Sequence, residues 1–217
     1  MKGAKLLMVN EIFHSIQGES SKAGMPCVFV RLTYCNLRCS YCDTEYAFQE
    51  GIEMPEEDIL NEVSKYSCRL VEITGGEPLF QQGTYSLLTK LCDSGYEVLL
   101  ETSGSMPIKD VDKRVKIIMD LKCPSSNMIN KNLYENIEYL KSIDEIKFVI
   151  GNKEDYDWAK SIIEKFNLTD RFEVLISPVF GRIEPPTLSE WVLRDKLNAR
   201  FQLQLHKHIW NPEMRGV

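Results

Sequence analysis

No stretch of this 217-residue chain offers the run of about 18 uncharged apolar residues that a membrane-spanning helix needs. The start, MKGAKLLMVNEIF, has no apolar core and no small-residue cleavage site, which argues against a secretory leader. Glycine (12) and proline (9) are too scarce for a collagen-like or low-complexity chain. There is no excess of positive charge. With 26 basic against 32 acidic residues the net charge is −6, and no local basic patch offsets it, so neither nucleic acid nor a membrane is expected as a partner. Histidine is limited to His14, His206 and His208. The seven cysteines are an odd number, which does not suit a closed disulfide framework. They suit a reducing compartment, and the cytoplasm is the expected location.

What remains is a chain of globular composition and single-domain length. Strand-like and helix-like segments alternate along it. Apolar β-branched runs at 27–32, 70–74, 96–101, 115–120, 145–150 and 173–177 read as strands, and FQLQL (201–205) alternates as a last one. Helical spacing covers 55–66, 84–93, 131–142, 153–166 and 187–197. Repeated β-then-α units build a parallel sheet with helices outside and right-handed crossovers. Eight units would close a barrel of about 250 residues, and this chain has room for six. The expected fold is therefore α/β: a partial, open parallel barrel of six units, as one domain over residues 1–217, with ligands at the carboxyl ends of its strands.

Cys68, Cys92 and Cys123 are scattered and read as small buried apolar residues. Cys35, Cys39 and Cys42 are not scattered: they form a Cx3Cx2C cluster directly after a strand. Three thiolates within eight residues can converge on one metal centre. A structural zinc site normally requires a fourth protein ligand, and the nearest candidates, Cys27 and His14, lack a zinc-finger spacing. A four-iron cluster held by three thiolates would keep one iron open to a ligand. A zinc knuckle, or three unliganded thiols, stays as the alternative.

The cluster, with Tyr41 before its last cysteine, and the segment Thr74-Gly75-Gly76-Glu77-Pro78 after the next strand resemble the radical S-adenosylmethionine (SAM) enzymes. Three further stretches narrow the likeness. They are EIFHSIQGESSKAGMPCVFVR (11–31), Asp43-Thr44 after the cluster, and FQLQLHKHIW (201–210) near the end. Together they are similar to the 7-carboxy-7-deazaguanine synthase family over almost the whole chain, with Ser20 where that family usually has glycine. The resemblance implies a [4Fe-4S] cluster on Cys35, Cys39 and Cys42, with SAM on its open iron. It implies abstraction of a hydrogen from 6-carboxy-5,6,7,8-tetrahydropterin, ring contraction, and loss of ammonia, in the biosynthesis of queuosine and related deazapurines.

It also implies roles for particular residues. SAM would meet Tyr41, Cys42, Asp43, Gly76, Glu77 and Ser103, together with Lys122, Cys123, Pro124 and Ser125, where many relatives carry Ser-Pro-Lys. The pterin would meet Ile16, Gln17, Gly18, Glu19, Arg31, Thr74, His206 and, through its main-chain carboxylate, Val217. Thr44 would offer an oxygen to Mg2+. A flavodoxin- or ferredoxin-type reductase and a homodimer follow from the same likeness. Two other readings are weighed against it. One is a radical SAM activase of a glycyl-radical enzyme, which shares the cysteines but not SIQGE or HKHIW. The other is a non-catalytic zinc module.

Overall fold

The computed structural model describes residues 5–217, so the first four residues of the expected domain lie outside it. The predicted strands form as β2 (Pro26–Leu32), β4 (Leu70–Gly75), β5 (Glu97–Thr102), β6 (Lys116–Asp120), β7 (Glu145–Ile150) and β8 (Glu173–Pro178). With β9 (Arg200–Phe201) they pair in parallel, in sequence order. The helices are α1 (Glu56–Ser64), α2 (Gly83–Asp93), α3 (Lys153–Phe166), α4 (Leu168–Arg171), α5 (Pro185–Arg194) and α6 (His206–Ile209). The sheet is open, as six crossovers require.

Its inside and outside follow from the two-residue period of a strand. Val28, Val30, Leu32, Val71, Ile73, Val98, Leu100, Ile117, Met119, Ile146 and Phe148 turn outward into the main core, which the helices cover. The alternate positions turn inward. Phe13, Cys27, Phe29, Leu70, Leu99, Ile118 and Leu175 form a second, smaller core there. Phe13 and Phe29 stack with ring centroids 5.0 Å apart. Arg31, Glu72, Thr74, Glu101, Asp120 and Lys147 share this inward register, so a polar set lies on the same face as the small apolar core.

The structure departs from the sequence reading in three places. Residues 6–16 form a strand that was not expected. This β1 (Leu6–Ile16) pairs antiparallel with β2 and with β3 (Ile52–Pro55), extending the parallel sheet by two strands. The helix expected at 131–142 is instead two short 3-10 turns, Ile129–Lys131 and Tyr134–Glu138. Its asparagines are committed elsewhere. Asn132 accepts from the Lys122 amide (2.9 Å) and donates to its carbonyl (3.0 Å), while Asn136 donates to the carbonyls of Gly104 and Met106. Such side-chain-to-backbone bonds compete with helix formation. The strand expected at 201–205 stops at Phe201. Gln204 then donates to Glu19 (2.6 Å) and the Leu205 amide donates to the Gly18 carbonyl (3.0 Å), which turns the chain away from the sheet. Cys123 is buried as expected, but Cys68 and Cys92 are only half-buried.

Candidate active site

The carboxyl ends of the strands open into a cleft of about 740 Å³. Cys35, Cys39 and Cys42 all line it, half-buried and free of disulfides. Their loop is held by its backbone. Arg38 donates to the carbonyls of Cys35 (2.9 Å) and Leu37 (2.6 Å), Ser40 donates to the carbonyl of Ser125 (2.6 Å), and Arg182 donates to that of Ser40 (2.7 Å). Leu37 anchors the loop in the interior at 2% exposure. Burial pushes all three thiols above their ordinary pKa, and the Lys122 ammonium works against it at each. Three thiols on one cleft, with one cation serving all three, fit a cluster that takes thiolates. Among the described residues, no three His, Cys, Asp or Glu groups are placed to hold a single metal ion.

The glycines of Thr74–Pro78 press against this loop. Gly75 has φ +148°, and a Cβ on it would lie 2.2 Å from the Leu32 carbonyl oxygen. A Cβ on Gly76 would lie 2.3 Å from the Tyr34 carbonyl oxygen. Gly76 and Thr74 line the cleft. Glu77, expected beside SAM, is not among the residues that line it. It is fully buried and its carboxylate is taken, accepting from the Thr102 hydroxyl (2.8 Å), the Ser103 amide (2.8 Å) and the Leu79 amide (3.1 Å). Glu77 thus holds Ser103, which does line the cleft, in place.

Lys122 lines the cleft with its ammonium 2.7 Å from Asp120 Oδ2. Cys123, Pro124 and Ser125, expected beside it, do not. Cys123 is fully buried. Ser125 is turned toward α3, where its amide donates to Asp155 (2.8 Å) and its hydroxyl bonds the same carboxylate. Tyr41 lines the cleft, with the Arg182 guanidinium 5.4 Å from its ring centroid. Asp43 accepts from Lys207 (2.5 Å) and from the Thr44 hydroxyl (2.9 Å). Because the Thr44 proton is committed to Asp43, its oxygen lone pairs remain for a cation, which fits the expected Mg2+ contact.

The expected substrate residues meet here too. Ile16, Gln17, Gly18, Glu19, Arg31, His206 and Val217 all line the same cleft. Arg31 is set by its cross-strand partner Glu11, which accepts from Nε at 2.8 Å. Gly18 is required for the approach of α6: a Cβ there would lie 2.3 Å from His206 Nδ1. His206 therefore enters the cleft from the first turn of α6, not from a strand. Burial holds its imidazole below the usual pKa, so the neutral form is favoured near neutral pH.

Sequence reasoning missed the cleft's charged floor. Lys147 donates to Glu19 (2.5 Å) and to Glu101, and lies 3.9 Å from Asp120. Glu72 accepts from Gln17. Asp120 Oδ1 is buried without a hydrogen-bond partner. The signal was present: Glu72 is the one charge of β4, and Lys147 stands between Ile146 and Phe148 in β7, where a charge is rare unless it is paired or used.

Residues 30–169 match the model of the radical SAM superfamily. A 7-carboxy-7-deazaguanine synthase of Chlorobaculum tepidum is 48% identical over 97% of both chains. This chain belongs to the 7-carboxy-7-deazaguanine synthase family. A member from Koribacter versatilis is 44% identical over 97% of this chain and all of that one. The fold of the family is also seen in QueE from Escherichia coli, which superimposes with a TM-score of 0.77 over 92% of this chain and 94% of the other, at 22% identity. No helix among the described residues is long and apolar enough to cross a membrane.

Proposed function

We propose that this protein converts 6-carboxy-5,6,7,8-tetrahydropterin to 7-carboxy-7-deazaguanine and ammonia. The observation that carries this reading is one cleft with two kinds of wall. Three free cysteines, Gly76, Ser103 and Lys122 line it together with Gln17, Glu19, Arg31 and His206. When bound, the cluster and SAM supply one-electron cleavage of SAM and hence a carbon radical. Cys35, Cys39 and Cys42 would hold the cluster. Tyr41, Asp43, Gly76, Ser103 and Lys122 would seat SAM.

The chain's own groups orient the pterin. Glu19, an acceptor fixed by Lys147 and Gln204, suits the N–H edge of the ring. Arg31 suits a carboxylate through its fork of donors, and Thr44 would hold Mg2+ against that carboxylate. Val217, which lines the same cleft, would lie against the pterin. A homodimer, reduction by a flavodoxin- or ferredoxin-type protein, and a cytoplasmic setting complete the proposal, and seven free thiols agree with a reducing compartment.

Anaerobic incubation of the reduced, reconstituted protein with SAM and the carboxytetrahydropterin should yield the deazaguanine by mass spectrometry. Cleavage of SAM without that product would overturn the substrate assignment.

A further inference from the structure

The floor of the cleft carries more carboxyl groups than its cations neutralise. Glu72 and Glu101 project from neighbouring parallel strands, β4 and β5, and both line the cleft. Glu101 is bonded to the Lys147 ammonium, which also holds Glu19. Asp120 is bonded to Lys122. Four carboxyl groups thus share two ammonium groups.

Glu72 differs from the other three. It is 2% exposed, and its bonded partner in the floor is the Gln17 amide, a neutral donor. Facing it are Glu101, Glu19 and Lys147, with the Cys27 thiol, itself pushed up by burial, on the adjacent strand β2. A buried carboxyl group without a bonded cation keeps its proton, because the charged form has lost its water and gained no counter-charge. Burial and the Glu101 carboxylate accordingly hold Glu72 well above the ordinary carboxyl range. Glu101 faces Lys147, Glu19 and Asp120; burial holds it above the ordinary range too, but its bond to the Lys147 ammonium gives its charged form the counter-charge that Glu72 lacks. One neutral and one charged carboxyl group side by side can act as acid and base in turn.

We propose that Glu72 and Glu101 are a proton-exchange pair that completes the release of ammonia after hydrogen transfer, with Lys147 as the positioning residue for Glu101. The proposal rests on the functional reading above. Substrate and product differ by one ammonia, so once the hydrogen atom taken from the substrate has been returned to the ring-contracted intermediate, the step needs no net proton, electron or added oxidant. The carboxyl proton passes to the departing amine. The C–N bond breaks, and its electron pair leaves on nitrogen as ammonia. The carboxylate then removes a proton from the adjacent ring carbon, and that C–H pair becomes the double bond that makes the new ring aromatic. The pair ends with the proton it began with.

The test uses the reconstituted holoenzyme with SAM and a ring-deuterated carboxytetrahydropterin, and reads two quantities. One is deuterium reaching the 5′-deoxyadenosyl group; the other is ammonia released. General acid–base groups contribute about 10²- to 10⁴-fold. Glu72→Gln and Glu101→Gln should each lower ammonia release at least a hundredfold while deuterium transfer falls no more than threefold. Glu72→Asp, which keeps a carboxyl group, should recover at least tenfold over Glu72→Gln. In the wild type, ammonia release should fall at high pH as Glu72 loses its proton and at low pH as Glu101 gains one, and Glu72→Gln should lose the high-pH limb. Ammonia release within threefold of wild type in both glutamine variants overturns the proposal. So does an equal fall in both quantities, which would make the pair a substrate seat. A wild type that transfers deuterium from SAM-dependent turnover but forms no deazaguanine overturns the functional reading itself, and with it the pair's role.

Discussion

Cys39→Ala is expected to abolish SAM cleavage and to remove most iron and sulfide from the reconstituted protein, while leaving the fold intact. The loop does not depend on the Cys39 side chain. Its backbone is fixed through Arg38, Ser40 and Arg182 and by the buried Leu37. Removing one half-buried sulfur should cost about 1 kcal/mol of stability, the centre of the range for single substitutions. Losing one of three thiolates leaves a cluster with two, which is too few to retain it. Cys68→Ala and Cys92→Ala serve as controls. The Cys68 thiol bonds the carbonyls of Pro26 (3.3 Å) and Leu70 (3.5 Å), and Cys92 lies on α2, outside the cleft. Both should reconstitute like the wild type. Iron and sulfide analysis alongside a melting curve makes the comparison. A Cys39→Ala protein with a full iron load would show that the cluster sits elsewhere.

Gly76→Val should be nearly as severe, by a different route. Even a methyl group at Gly76 would stand 2.3 Å from the Tyr34 carbonyl oxygen and 2.7 Å from Cys35 Cβ. Most of what it meets is backbone, which cannot swing aside. The cysteine loop must shift, because overpacking of this kind is relieved only by backbone movement and costs typically 1–3 kcal/mol or more. Displacing Cys35 should cut iron retention, and SAM cleavage should fall at least a hundredfold. Gly24→Ala is the matching control. Its φ is +90°, but a Cβ there would have no neighbour within 4 Å, so it should lose only about 1–2 kcal/mol for its left-handed backbone and keep full activity. If Gly76→Val retains both iron and SAM cleavage, the glycine serves neither the loop nor SAM.

The parts of the fold legible in the sequence were those set by local pattern. The β-branched runs of the parallel strands are buried on both faces, so they read as apolar blocks, and the cysteine spacing needs no tertiary information. Other features depend on partners far away in the chain. β1 is a strand because β2 and β3 pair with it, and its mixed sequence carries little signal of its own. Residues 131–142 have helical spacing, yet Asn132 and Asn136 bond the loops after β6 and β5 instead. The bonds that Glu77 accepts from Thr102 and Ser103 were not legible either, because they join the ends of two strands 25 residues apart. Ser125 was drawn away from the cleft by Asp155. Glu72, Glu101 and Lys147 belong together only because three strands bring their inward positions to one floor.

The segment that matches the superfamily, residues 30–169, includes the cysteine loop, Gly76, Ser103 and Lys122. Gln17, Gly18 and Glu19 precede it, and Gln204, His206 and Val217 follow it, although all of them line the same cleft. The wall proposed for the pterin is therefore encoded mainly by the two flanks, and the wall proposed for SAM by the middle. Mutation and recombination can act on these stretches independently. A lineage can redraw the flanks to accept a different molecule while inheriting the radical-generating centre unchanged. The same seam marks where an engineered exchange between relatives should be cut: before β2 and after β8, with Arg31, Thr74 and the Glu19–Lys147 bond as the contacts that a graft must still satisfy.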